Sequence, residues 1–201
     1  MKRLLSLFDF TGNWSAPYLE AGWEVLQIDL ALGQDILEWD YTQFPPDYFH
    51  GILAAVPCTA YALSGARWWP TKDADGTTEA FDKITRRTLE IINYFRSGIG
   101  FWAIENPVGR IAKRVPELAK FRLYIFDPFN FGEAYKKKTV LYGEFSPWFV
   151  LTPVKPIIAP RGEHSIDHFH GIKGNVGWND RAALRSITPP GFSQAFFQAN
   201  H

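Results

Sequence analysis

Up to residue 142 the chain is built from short apolar runs that each stop abruptly at a polar or turn-forming residue. They are Leu4–Phe8, Glu24–Ile28, Gly51–Val56 and Phe101–Ile104, then Leu123–Phe126 and Thr139–Tyr142. Runs this short suit buried strands, and helical patterns lie between them. Ser15–Ala21 has Ser15 at the N-cap position and Pro17 in the first turn, and Gly22 ends it. Thr77–Ser97 is the clearest helix, with Phe81, Ile84, Thr88, Ile91 and Phe95 on one face and Gly98 as its stop. The alternation predicts an α/β fold with a mainly parallel sheet.

Beyond Ser146 the texture changes. Prolines and glycines crowd the stretch to Trp178 with little periodicity, and a last short helix is expected over Pro190–Ala199. The organisation expected is a core over residues 1–145, a small irregular lobe over 146–185, and a C-terminal segment over 186–201. The start, Met1–Phe8, opens like a signal peptide, but Asp9 ends its apolar stretch too early. No apolar run approaches the ~20 residues of a membrane helix. The 21 basic residues match the 21 acidic ones, which argues against a chain coated in positive charge, while a local basic patch stays possible. One cysteine forbids an internal disulfide and a four-cysteine zinc site. His164, Asp167, His168 and His170 fit no zinc template by their spacing, so no metal is expected. A monomer of the cytoplasm, away from membranes, is the expectation.

Function is legible at the strand ends, because an open parallel sheet binds ligands beyond its carboxyl edge. The first strand runs into Phe8-Asp9-Phe10-Thr11-Gly12-Asn13. The second ends at Asp29, with Asp35-Ile36 close behind; the third runs into Pro57-Cys58; a later one ends at Glu105-Asn106-Pro107. Singly, each has an ordinary explanation: a turn, a cap, a small core thiol. Together, in this order, they are far more specific. Tyr61, Arg67, Trp68 and Trp69 follow the thiol and suit either core packing or stacking on nucleobases.

At these residues most of the chain resembles the DNA (cytosine-5) methyltransferase family, notably its short phage- and prophage-borne members. Leu7 to Gly12 sits where that family has its F-x-G-x-G cofactor loop. Ala21-Gly22-Trp23-Glu24-Val25 with Asp29 is similar to its second strand, whose acid holds the cofactor ribose, and Asp35-Ile36 to the acid at the adenine amino group. Val56-Pro57-Cys58 matches the nucleophile motif and Glu105-Asn106-Pro107 resembles its Glu-Asn-Val. Lys136-Lys137-Lys138 falls where the family carries a basic segment near the target base, and Thr188 to Phe192 resembles its returning C-terminal segment.

The resemblance implies a Rossmann-like S-adenosylmethionine-dependent methyltransferase fold, with DNA, single strands included, as partner. It implies Cys58 as nucleophile, Glu105 as the acid at cytosine N3, and Arg67 as the cation favouring the thiolate. It implies a cofactor site at Phe8, Asp9, Phe10, Gly12, Asp29, Asp35, Ile36 and Pro57. Asn106, Tyr61, Lys136, Lys137 and Lys138 become the substrate contacts. Such chemistry needs a thiolate to add at carbon 6, since carbon 5 alone is a poor nucleophile, and a free thiol of pKa ~8.5 is only about 3% ionised at neutral pH. Phe10 and Asn13 stand where the family prefers glycine, which leaves a carboxylated form of S-adenosylmethionine open as cofactor. RNA or a nucleotide as substrate, or a nonenzymatic nucleic-acid binder on the same fold, are the alternatives.

Overall fold

Six strands account for the apolar runs: β1 (Arg3–Leu7), β2 (Glu24–Ile28), β3 (Gly51–Ala55), β4 (Phe101–Pro107), β5 (Arg122–Phe126) and β6 (Thr139–Glu144). The computed structural model describes residues 1–161, 163–171 and 184–201. Among them the strands form one sheet in the order β2-β1-β3-β4-β6-β5. β1 lies parallel to β2 and β3, and β3 parallel to β4. β6 runs antiparallel between β4 and β5, so the sheet is mixed, with its parallel part on the β2 side. The result is a Rossmann-like α/β arrangement in which strand order reverses between β1 and β3.

Alternate strand residues feed two apolar layers, as the period of two requires. Leu5, Leu7, Ile52, Ala54, Trp102 and Ile104 face α3 (Thr77–Phe95), which contributes Leu89, Ile91, Ile92 and Phe95. Leu4, Leu53, Phe101, Ala103 and Leu141 face the opposite layer, with Tyr18 of α1 (Ala16–Glu20), Trp14 before it, and Phe192 and Phe196 of the C-terminal helix. The face of α3 differs from its sequence reading. Phe81 and Ile84 are only half-buried, while Thr78, Asp82, Thr85 and Thr88 are buried beside them. The N-terminal half of α3 thus adds buried polar contacts, such as Thr85 and Asp82 to the Tyr61 hydroxyl, to the apolar packing of Phe81 and Ile84.

Short helices fill the connections: α2 (Trp69–Ala74), α4 (Ile111–Arg114), α5 (Ser165–Phe169) and α6 (Pro190–Ala199). The C-terminal helix α6 folds back on the segment after β1, where Tyr18 donates its hydroxyl to the Asn200 carbonyl at 2.7 Å. Residues 146–161 hold no helix or strand and run along residues 129–134. Thr152, Val154 and Ile157 donate their N–H groups to the carbonyls of Asn130, Phe129 and Ala134. Trp178 lies outside the described residues. Among the described residues no helix is long and apolar enough to cross a membrane, and no cluster of three metal-ligating side chains occurs.

Candidate active site

The reversal of strand order makes a crevice at the carboxyl ends of β1 and β3. The chain leaves β1 through Phe8, a non-glycine residue at φ 59°, and turns at Gly12, φ 70°, where a left-handed backbone favours glycine. Asp9 builds this loop from inside. Its carboxylate accepts from Ser6 Oγ (3.0 Å), Trp14 N (3.3 Å), Ser15 N (3.0 Å) and Ser15 Oγ (2.8 Å). Burial pushes its pKa up, against the lowering effect of those bonds. Asp9 is therefore the frame of the cofactor-type loop and not a contact within it, and Ser15, expected to cap α1, is spent on Asp9. Phe10 stands exposed at the tip.

At the end of β2, Asp29 Oδ1 accepts from Ala31 N at 2.8 Å, and Asp35 Oδ1 accepts from Leu37 N at 2.9 Å. Both carboxylates keep Oδ2 without a hydrogen-bond partner among the described residues, Asp29 half-buried and Asp35 exposed. Ile36, directly after Asp35, is buried in the core against α3, so its side chain supports the loop rather than meeting a ligand.

The thiol and the acid come from neighbouring strands. Glu105 stands in register with Ala55 of β3, three residues before Cys58. Asn106 Nδ2 donates to the Val56 carbonyl at 2.9 Å and so pins the half-buried Pro57–Cys58 turn, while its Oδ1 is buried without a partner. Asn106 is a positioning residue, fully buried beneath the turn. Lys137, from the segment entering β6, brings Nζ to 3.7 Å from Glu105 Oε1, with the two side chains only 15% and 9% exposed. Burial pushes the Cys58 thiol up; the Lys137 ammonium opposes this, Glu105 adds to it, and Lys72 opposes it weakly.

Two sequence assignments change here. Arg67 is not the cation at the thiol: its guanidinium lies 5.2 Å over the Trp68 ring, and Lys137 takes that place. Lys137 accordingly belongs with Cys58 and Glu105, whereas Lys136 and Lys138 on either side are exposed. Tyr61 is no substrate contact. It is fully buried, with its hydroxyl 3.0 Å from both Asp82 Oδ1 and Thr85 Oγ1 of α3.

The loop after the thiol is held by a residue the sequence did not flag, Arg110. Its Nε donates to the Ala60 carbonyl (2.9 Å), its two Nη groups clasp the Asp73 carboxylate of α2 (2.8 and 2.7 Å), and Nη2 also meets Thr78 Oγ1 (2.9 Å). The guanidinium lies 4.7 Å over Trp69, so this tryptophan is packing and not a free stacking surface. Arg110 holds the Asp73 carboxyl at a pKa of about 2. Gly109 makes the approach possible, since a Cβ there would fall 2.0 Å from the Tyr61 carbonyl oxygen. The signal available in sequence was Gly109-Arg110, one residue beyond Glu105-Asn106-Pro107.

Segment 133–138 gathers the rest. Glu133 Oε1 accepts from Gly191 N of α6 at 2.6 Å, Tyr135 is buried against Phe169 and His170, and Lys136 N donates to Ser165 Oγ at 2.9 Å. Two surface cavities lie elsewhere. The larger, about 720 Å³, is an open groove between Leu37 and the charged face of α3 and holds none of these residues. The chain matches no family model, and a search of curated proteins returns no relative.

Proposed function

We propose that the protein transfers a methyl-type group from S-adenosylmethionine, or a carboxylated form of it, to carbon 5 of cytosine in DNA. The observation that carries this reading is the convergence of Cys58, Glu105 and Lys137 at the ends of β3, β4 and the entry to β6. A nonenzymatic binder has no use for a buried acid–ammonium pair beside the only thiol of the chain.

When bound, the sulfonium cofactor supplies an electrophilic methyl carbon. The residues at the switch point suit an adenosyl ligand. Phe8 and Gly12 shape a turn that lets backbone approach, and Asp29 and Asp35 each offer a carboxylate oxygen for ribose hydroxyls and an exocyclic amine. Pro57 closes the side toward the thiol. The Cys58 thiolate adds to carbon 6 of cytosine, and the displaced π pair moves to carbon 5 as Glu105, which takes up a proton from solvent when the base binds, passes that proton to N3. Carbon 5 is then nucleophilic enough to take the methyl group. Lys137 stabilises the thiolate before attack and the Glu105 carboxylate after proton delivery. A base paired within a duplex has to leave the stack first, which costs a few kcal/mol; an unpaired base does not. In this reading phosphate contact and stacking carry DNA binding, with Lys136, Lys138 and the exposed Trp68 at hand.

The deciding experiment incubates the purified protein with cofactor and DNA, then analyses nucleosides by mass spectrometry. Modified cytosine is expected, its mass giving the group added. Cys58→Ala abolishes the product, and DNA carrying 5-fluorocytosine traps the wild type covalently. Turnover by Cys58→Ala refutes the mechanism; binding of DNA without any product favours the nonenzymatic alternative, and product in RNA only favours the other.

A further inference from the structure

We propose that His170 is the base that takes the proton from carbon 5 in the last step; this rests on the reaction proposed above. Once carbon 5 carries the new group it also still carries its hydrogen, and Cys58 Sγ is still bonded to carbon 6. His170 Nε2 takes the carbon 5 proton, and the C–H pair forms the 5,6 double bond. The C6–S bond then breaks with its pair returning to Cys58 as thiolate. Glu105 recovers the N3 proton, and the imidazolium of His170 gives its proton to solvent.

The structure brings His170, from a helix remote in sequence, against the Tyr135–Lys137 segment that borders this site. Helix α5 is tied to the entry of β6 by the Lys136 N to Ser165 Oγ bond, 2.9 Å. His170 ends that helix, its N–H donating to the Ile166 carbonyl at 3.0 Å. Its ring lies against Tyr135, centroids 5.7 Å apart, and Tyr135 stands two residues before the Lys137 that pairs with Glu105. Among the described residues the Nε2 atom is buried and has no hydrogen-bond partner. A buried ring nitrogen left unpaired among the described residues, on a ring packed against Tyr135 and within the field of Lys137, is an acceptor awaiting a ligand.

Among the described residues, Lys137 and Asp167 are the charged groups that act on the ring. Burial pushes the imidazolium pKa down, Lys137 adds to that, and Asp167 of α5, itself bonded to Arg185 Nε at 2.7 Å, opposes it. The net lowering keeps the ring neutral and basic at neutral pH. The other groups near the site are engaged. Glu105 serves N3 and Lys137. Asp9 frames the first loop. Glu133 is bonded to Gly191. The Tyr135 phenol is pushed up by burial, Glu133 and Glu105, and stays protonated.

Single-turnover reactions with cytosine-containing DNA, quenched in denaturant, test this by separating adduct from free product. His170→Gln and His170→Ala are expected to slow elimination about a hundredfold, the low end of what a positioned general base contributes. The covalent protein–DNA species, carrying the added group by mass, then accumulates. Imidazole added to His170→Ala restores release, and the wild-type fall in rate toward acid pH disappears in His170→Gln. A merely structural role moves neither the adduct mass nor imidazole rescue. Release of modified cytosine at the wild-type rate by both variants, with no adduct, overturns the assignment while leaving the cytosine reaction standing. A wild type that forms neither adduct nor product overturns both.

Discussion

Replacing Lys137 with glutamine removes the principal cation at the thiol and leaves a shorter, neutral polar side chain. Two unit charges 3.7 Å apart, as Lys137 Nζ and Glu105 Oε1 are, interact by about 4 kcal/mol at an effective dielectric near 20, which sets the ceiling for what this ammonium supplies. The sign is fixed by chemistry: the thiolate is the charged form, it loses an attractive partner, and the thiol, already pushed up by burial, moves further up. At neutral pH the thiolate fraction then falls, and alkylation falls with it. Because Cys58 is the only cysteine, the rate of iodoacetamide labelling followed against pH reports this one group. The Lys137→Gln midpoint is expected above wild type, and Glu105→Gln, which removes an opposing charge, below it. Coincident midpoints for wild type and Lys137→Gln refute the electrostatic role assigned to Lys137.

Asp29→Ala and Asp35→Ala each remove a ligand acceptor from the loop after β2, and calorimetry with an adenosyl cofactor is expected to show a loss of about 1–3 kcal/mol for each, up to a hundredfold in affinity; unchanged affinity in both removes them from the site. Arg110→Lys keeps a charge but cannot clasp Asp73, Thr78 and the Ala60 carbonyl together, so urea unfolding should show a loss of about 2 kcal/mol and protease should cut within residues 63–76 sooner. With Arg110 present, the Asp73 carboxyl falls to about 2, so its contribution is whole above the ordinary aspartate range and lost as pH drops toward about 2. Arg110→Lys should flatten that acid limb.

The strands were legible because most of their residues are apolar, and β2 and the helix Pro190–Ala199 fall where the sequence places them. Strand direction was not legible. Nothing in Thr139–Glu144 encodes that it runs against β4, yet this reversal delivers Lys137 to Glu105. Arg67 is the nearest cation to Cys58 along the loop, but a cation–π contact with Trp68 satisfies it locally. Tyr61 resembled a surface aromatic because its hydroxyl partners, Asp82 and Thr85, lie on a helix face that periodicity alone assigns to Phe81 and Ile84. Asp9 shows the same limit: a carboxylate after a strand serves a ligand or its own loop, and only the positions of Ser6 and Ser15 distinguish the two.

Because β6 is seated between two strands that precede it, the sheet cannot be completed in the order in which the chain is made. During synthesis β4 emerges with a bare edge, and β5 follows with no strand to pair with, since its ladder is to β6. Until residues 139–144 leave the ribosome, the edge beside Glu105 exposes unpaired N–H and C=O groups of the kind that recruit foreign strands. The interval is short, about thirty residues from the end of β4 to the start of β6, and synthesis at about 5–20 residues per second crosses it in a few seconds. The newborn chain is thus most vulnerable to mispairing along the very strand that carries its acid, and the strand that ends that exposure is the one that brings the lysine.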